Sequence, residues 1–182
     1  MTLSSYSRMV TWIAPDLTRT DAPMIAAERQ MLQGWLDFHR DTLLLKCAGL
    51  DAERLRKRSV EPSTLSLHGL VRHMTEVERG WFRLAAAAED VPYVYGSEDD
   101  PDGDFDTEGA DAATDFAAYR REIELADAAV ADLPLDHTFV HPKRPDLQFN
   151  LRWVYLHMIE EYARHNGHAD LLRERIDGAT GD

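Results

Sequence analysis

His157, Glu161 and His165 recur at intervals of four in the stretch WVYLHMIEEYARHNGHADLLRE. On an α-helix each such step rotates the side chain by only about 40°, so the three form one ridge. His168 follows three residues later on a neighbouring line, and Glu160 sits just off the ridge. Imidazole and carboxylate heads one turn apart can converge on a single cation. The apolar flank of Trp153, Val154, Leu156 and Ile159 predicts that part of this ridge faces inward. A third ligand has to come from a facing helix, and LVRHMTEVE offers His73 on the same side as Leu70, Val77 and Trp81. Spacing alone leaves open whether His157, Glu161, His165 or His168 completes the set.

Two imidazoles and one carboxylate leave coordination positions free. Structural zinc sites usually close with four protein ligands, whereas reactive sites keep a position for water or substrate. The pattern is therefore that of a reactive site for zinc, with nickel, iron or manganese as alternatives. Other candidates have plainer readings. Cys47 lies among Leu44, Leu45 and Ala48 and reads as a small buried residue. Glu76 and Glu78 read as a solvated helix face, Arg152 and Arg164 as partners in salt links, and Trp81 and Trp153 as core. His157 and His168 read as neighbours of the site or of an adjacent helix.

The elements that must position these residues are helical. From Pro23, with Asp21 as cap, Met24, Ala27, Met31, Trp35, Phe38 and Leu45 recur at helical spacing, and Gly49 closes the run. Residues 51–56 read as a short extra turn. A second long helix opens around Pro62 to Ser66 and carries Leu67, Leu70, Val71, Met74, Val77, Trp81, Phe82 and Leu84 as its buried stripe. The stretch SEDDPDGDFDTEG reads as a long, solvated acidic loop. A third helix is predicted over about 108–131, with Phe116, Tyr119, Ile123 and Val130 on one side. The fourth is predicted from Leu151 to about Ile176, stopped by Asp177-Gly178. Residues 134–150, with prolines among their apolar positions, are at best weakly strand-like. The expected architecture is all-α: an N-terminal arm over 1–20, one four-helix bundle domain over 21–178 and a tail over 179–182.

Composition narrows the function. With 182 residues and an apolar fraction of 44%, the chain can fill one core without a staple, and its lone cysteine excludes an internal disulfide. A net charge of −13 argues against nucleic acid and anionic membrane surfaces as partners. No apolar stretch reaches the roughly 20 residues that span a bilayer, and MTLSSYSRMVTWIAPDL lacks the form of a signal peptide. A cytoplasmic location is the expectation.

The segments LVRHMTEVERGWF and LRWVYLHMIEEYARHNGHADLLRERIDG resemble the DinB-like (DinB/YfiT-like) metalloenzyme superfamily, in its actinobacterial domain-of-unknown-function branch, over roughly residues 26–178. That resemblance implies a DinB-like four-helix bundle whose metal is held by a histidine of the second helix and two ligands four apart on the fourth. It thereby selects His73, Glu161 and His165. Many members have histidine at both later positions; Glu161 is a departure shared with the mycothiol-dependent maleylpyruvate isomerase branch. The resemblance further implies a divalent metal, zinc first, a low-molecular-weight thiol such as mycothiol, and an electrophilic small molecule as partners, and a homodimer. A thiol that coordinates an open metal site loses its proton and becomes a nucleophile. The expected function is a metal-dependent thiol transferase or isomerase. The alternatives are a hydrolase using metal-bound water, or a stress protein that binds a metal or small ligand without catalysis.

Overall fold

The computed structural model describes residues 11–97, 99–100 and 102–181. Most helices begin where a side-chain oxygen can accept a free N–H of the first turn. Ser66 accepts from the Gly69 N–H at the head of α3 (Leu67–Glu78). Asp111 does the same for Thr114 at the head of α4 (Ala112–Val130), and Asn150 for Trp153 at the head of α5 (Leu151–Asp177). Asp51 caps the short α2 (Ala52–Leu55), as the extra turn requires. α5 stops at Gly178, whose φ of +79° is left-handed and costs glycine nothing.

α1 (Glu28–Cys47) has no side-chain cap and starts later than the predicted Pro23. Pro23 instead lies against Gly34, and Met24 and Ile25 are almost fully exposed. The inward face of α1 also differs from the predicted stripe. Leu36, Arg40, Leu43, Leu44 and Cys47 are buried, while Trp35 is 43% exposed. The reason is Arg40. Its Nε and Nη2 donate to Oε1 and Oε2 of Glu78, each at 2.7 Å, and its Nη1 reaches Asp127 at 3.0 Å. The Tyr162 hydroxyl donates to Glu78 at 2.8 Å, and the Tyr119 hydroxyl lies 2.9 Å from that of Tyr162. Glu78, expected on a solvated face, is fully buried. A buried charge pair on two helices is invisible to a hydrophobic period, which places Arg and Glu outside.

α3 runs on as a π-helical segment over Arg79–Ala86, which buries Trp81 and Phe82. α1 packs on α5 and α3 on α4; α3 also touches α5 and α1. Leu43, Leu70, Met74, Phe82, Tyr119, Tyr155, Met158 and Tyr162 share the core between them. The architecture is thus mostly helical, with one departure from all-α. Thr138–His141 (β1) pairs antiparallel with Arg144–Asn150 (β2), setting Phe139 opposite Phe149 before the register shifts beyond Val140. Pro142 in the turn and Pro145 at the shift mask the alternation that marks a strand. β1 packs on the π-helical segment, so the hairpin turn overhangs the end of the fold that carries Trp81.

Part of the N-terminal arm lies on the helices. Ile13 bridges to Asp51, Ala14 is buried, and Trp12 meets Phe116 edge-on at 5.1 Å. Residues 1–10 of that arm lie outside the described residues. Among the described residues no helix is long and apolar enough to cross a membrane.

Candidate metal centre

His73 projects from α3, and Glu161 and His165 project one turn apart from α5. Each offers a ligand atom, and the three atoms lie within 4.8 Å of one another. Buried neighbours fix this meeting: Leu70 and Met74 on α3, and Met158, Tyr162 and Ala169 on α5. The His73 and His165 rings meet edge to face at 4.8 Å. Oε2 of Glu161 lies 3.5 Å from Nε2 of His165, and its Oε1 lies 3.6 Å from Nε2 of His157. His165 is 9% exposed, whereas His73 and Glu161 are half-buried, so the group is open on one side. Burial, reinforced by His73 and His168 nearby, depresses the pKa of His165 to about 4. A ligating imidazole must be neutral, and His165 is neutral at ordinary pH.

The acidic stretch is more than a solvated linker, contrary to its composition. Oδ2 of Asp104 lies 2.7 Å from Nδ1 of His73, and Asp104 is buried. This contact leaves Nε2 of His73 as the nitrogen free for a cation. The Phe105 ring stacks on His73 with centroids 4.7 Å apart. Arg72, next to His73, donates to the carbonyls of Asp104 and Gly103, both at 3.0 Å, and lies over the Tyr95 ring. Gly103 is tight: a Cβ there would stand 2.8 Å from the Tyr95 carbonyl oxygen. Glu76, also expected to be solvated, is buried and accepts the N–H groups of Tyr95 and Gly96. α3 therefore ties down the same stretch that orients its own histidine. The one large apolar residue of the stretch, Phe105, is the sequence signal that could have marked where it docks.

This donor set fits a divalent cation. It combines two imidazoles and a carboxylate from two helices, and one imidazole has its outer nitrogen on a buried carboxylate, the usual support of a ligating histidine. His157, Glu160 and Glu161 form a second group with ligand atoms within 4.8 Å, all on α5. There Glu160 is exposed and already accepts from Arg164. The ring of His157 stacks on Trp153 at 4.7 Å and meets Trp81 edge-on. His168 approaches His165 nitrogen to nitrogen at 3.4 Å, on the side away from Glu161.

A family model described as Mycothiol-S-transferase matches residues 31–178. The chain belongs to that family. The match begins inside α1, ends just past α5, and includes His73, Asp104, Glu161 and His165. No curated protein and no solved structure matches the chain. Membership in the mycothiol-S-transferase family carries a thiol-related transferase role, with mycothiol as the thiol and a small molecule as its partner. In this member the chain's own thiol is withdrawn. Cys47 is fully buried, and burial pushes its pKa up to about 12. Arg152 pairs with Glu28 and Arg164 with Glu160, as salt links. Trp81 is buried, while Trp153 is 38% exposed and forms part of an aromatic wall beside His157.

Proposed function

We propose that this chain is a divalent-metal-dependent thiol S-transferase or isomerase built as a DinB-like four-helix bundle, with His73, Glu161 and His165 as the metal ligands. Zinc is the first choice of metal, with nickel, iron or manganese as alternatives. The observation that carries the reading is the convergence of these three donors with Asp104 behind His73. When bound, a metal with open positions supplies positive charge that favours the thiolate form of a low-molecular-weight thiol, here mycothiol. The residues of the chain do the remaining work. Asp104 holds the proton on Nδ1 of His73 and so fixes its ring and tautomer. His165 stays neutral through burial, and Glu161 contributes the one negative charge of the triad. Trp81 and Trp153 pack around His157, which stands beside Glu161, and form an aromatic wall on that side. The reducing cytoplasm suits both the thiol and the unpaired Cys47.

The test is elemental analysis of protein purified without an affinity tag, followed by conjugation of a generic electrophile with and without the thiol. The expected result is about one metal ion per chain and turnover only with thiol present. Cleavage of esters or amides indifferent to thiol would instead make the protein a metal-dependent hydrolase. Stoichiometric metal without turnover of any substrate would make it a non-enzymatic metal or ligand binder.

A further inference from the structure

His73 also lines an open cleft of about 220 Å³ between the π-helical segment and the β1–β2 hairpin. Its walls include the rings of Trp81 and Tyr93, and Gly80 leaves its floor open, since a Cβ there would meet nothing within 4 Å. Lys143 of the turn between β1 and β2 and Arg144, the first residue of β2, also line it, both exposed. Nζ of Lys143 sits 4.2 Å from the Tyr93 ring centroid, and Cζ of Arg144 sits 5.7 Å from that of Trp81. Contact with a ring face holds a cation in place without neutralising it. Arg79, Arg83, Arg152 and Arg164 each hold a carboxylate, but neither Lys143 nor Arg144 has one among the described residues. In a chain of net charge −13, this cleft joins two uncommitted cations to aromatic walls, a combination suited to a flat anion. Glu76 also lines the cleft; its Oε1 accepts the N–H groups of Tyr95 and Gly96, its buried Oε2 has no partner among the described residues, and the two cations have to outweigh its charge.

We infer that this cleft takes an anionic group of the electrophilic substrate, a carboxylate on a small flat apolar body, with Lys143 and Arg144 as its binding residues. Naming the ligand as the electrophile rests on the thiol-transferase reading; the binding itself does not. The aromatic walls would hold the flat body, and the paired cations would turn the carboxylate outward, leaving the rest of the molecule directed at His73.

Benzoate and benzamide share that shape and differ in charge, so calorimetric titration of both into the metal-loaded protein tests the cleft. Each partly solvated charge contact is worth a factor of about two to five, so benzoate should bind about tenfold tighter than benzamide at low salt. The advantage should shrink as salt rises. It should vanish in K143Q/R144Q and reverse in K143E/R144E, with metal content unchanged. Equal binding of the two probes in the wild type overturns the inference. So does a preference for benzoate that survives in K143Q/R144Q, because the carboxylate would then be bound elsewhere, at the metal for instance. No thiol and no turnover enter this assay. A lack of thiol-dependent conjugation therefore defeats the proposed reaction alone, and a lack of charge preference beside intact conjugation defeats the cleft alone.

Discussion

Oδ2 of Asp104 and Nδ1 of His73 meet at 2.7 Å, joining a loop of acidic composition to the one candidate ligand on α3. The pair is held from both sides, by Phe105 stacked on the imidazole and by Arg72 on the backbone of the loop. Loss of such an outer partner typically weakens metal affinity by about 10–100-fold, because ring orientation and basicity go together. Asp104→Ala is expected to fall in that range for zinc, measured by competition with a chelator, with little change in circular dichroism. Unchanged affinity would show that His73 is not a ligand or needs no support.

His165→Ala removes the most buried of the three donors and should abolish stoichiometric metal binding while the helices remain. His168→Ala should matter far less, since His168 faces the Nδ1 side of His165, away from Glu161. Elemental analysis of both variants checks this. Full metal content in the first removes His165 from the site, and equal loss in both shifts the ligand register by three residues.

The candidate site was legible on α5 as a ridge of ligand-type residues and only in part elsewhere, for physical reasons. His157, Glu161 and His165 are a local pattern, since helical periodicity alone places them on one ridge. The caps Asp51 and Ser66 and the stop at Gly178 are equally local, and the helices they bound follow the chain's own punctuation. The apolar stripe of α3 offers His73, but choosing Glu161 and His165 over His157 and His168 required a resemblance, because helical spacing brings all four to one side of α5. Asp104 reaches His73 across 31 positions, and Glu78 reaches Arg40 across 38. Polar partners at such separations are set by tertiary packing, so composition read both carboxylates as solvated. The same blindness turned α1 towards Trp35 instead of Arg40, and let two prolines conceal the β1–β2 hairpin.

The Arg40–Glu78 pair gives a stability prediction. Breaking a buried pair from one side costs about 3–5 kcal/mol when it leaves a charge without its partner. In Glu78→Leu the Nε and Nη2 groups of Arg40 lose theirs while Nη1 keeps Asp37 and Asp127, so urea unfolding should show a loss near the lower end, about 3 kcal/mol. The double variant R40M/E78L should recover most of the loss, because neither charge then has to be desolvated. A double variant no better than the single would mean that the hydroxyls of Tyr162 and Tyr119, left without the carboxylate, carry the cost instead.

Acid should destabilise the metal-free protein through His165. Its folded pKa of about 4 lies below the ordinary value of 6.5, chiefly because burial disfavours the charged ring. Between those values the unfolded chain binds a proton at this position and the folded chain does not. Protonation therefore pulls toward the unfolded state as pH falls. The contribution is fully present above about 6.5, is lost progressively down to about 4, and amounts to about 3 kcal/mol at most. The pKa of His157 is lowered by burial as well and acts in the same direction. Urea unfolding across this window should show the wild type losing more stability than His165→Asn, in which no proton is taken up at that position. Bound zinc should hold the wild type up to lower pH, since it competes with protons for the same nitrogen. Parallel pH profiles for the two metal-free proteins would mean that the imidazole takes up its proton as readily in the folded chain as in the unfolded one. The closely packed setting on α5 would then be open enough to solvate the charge.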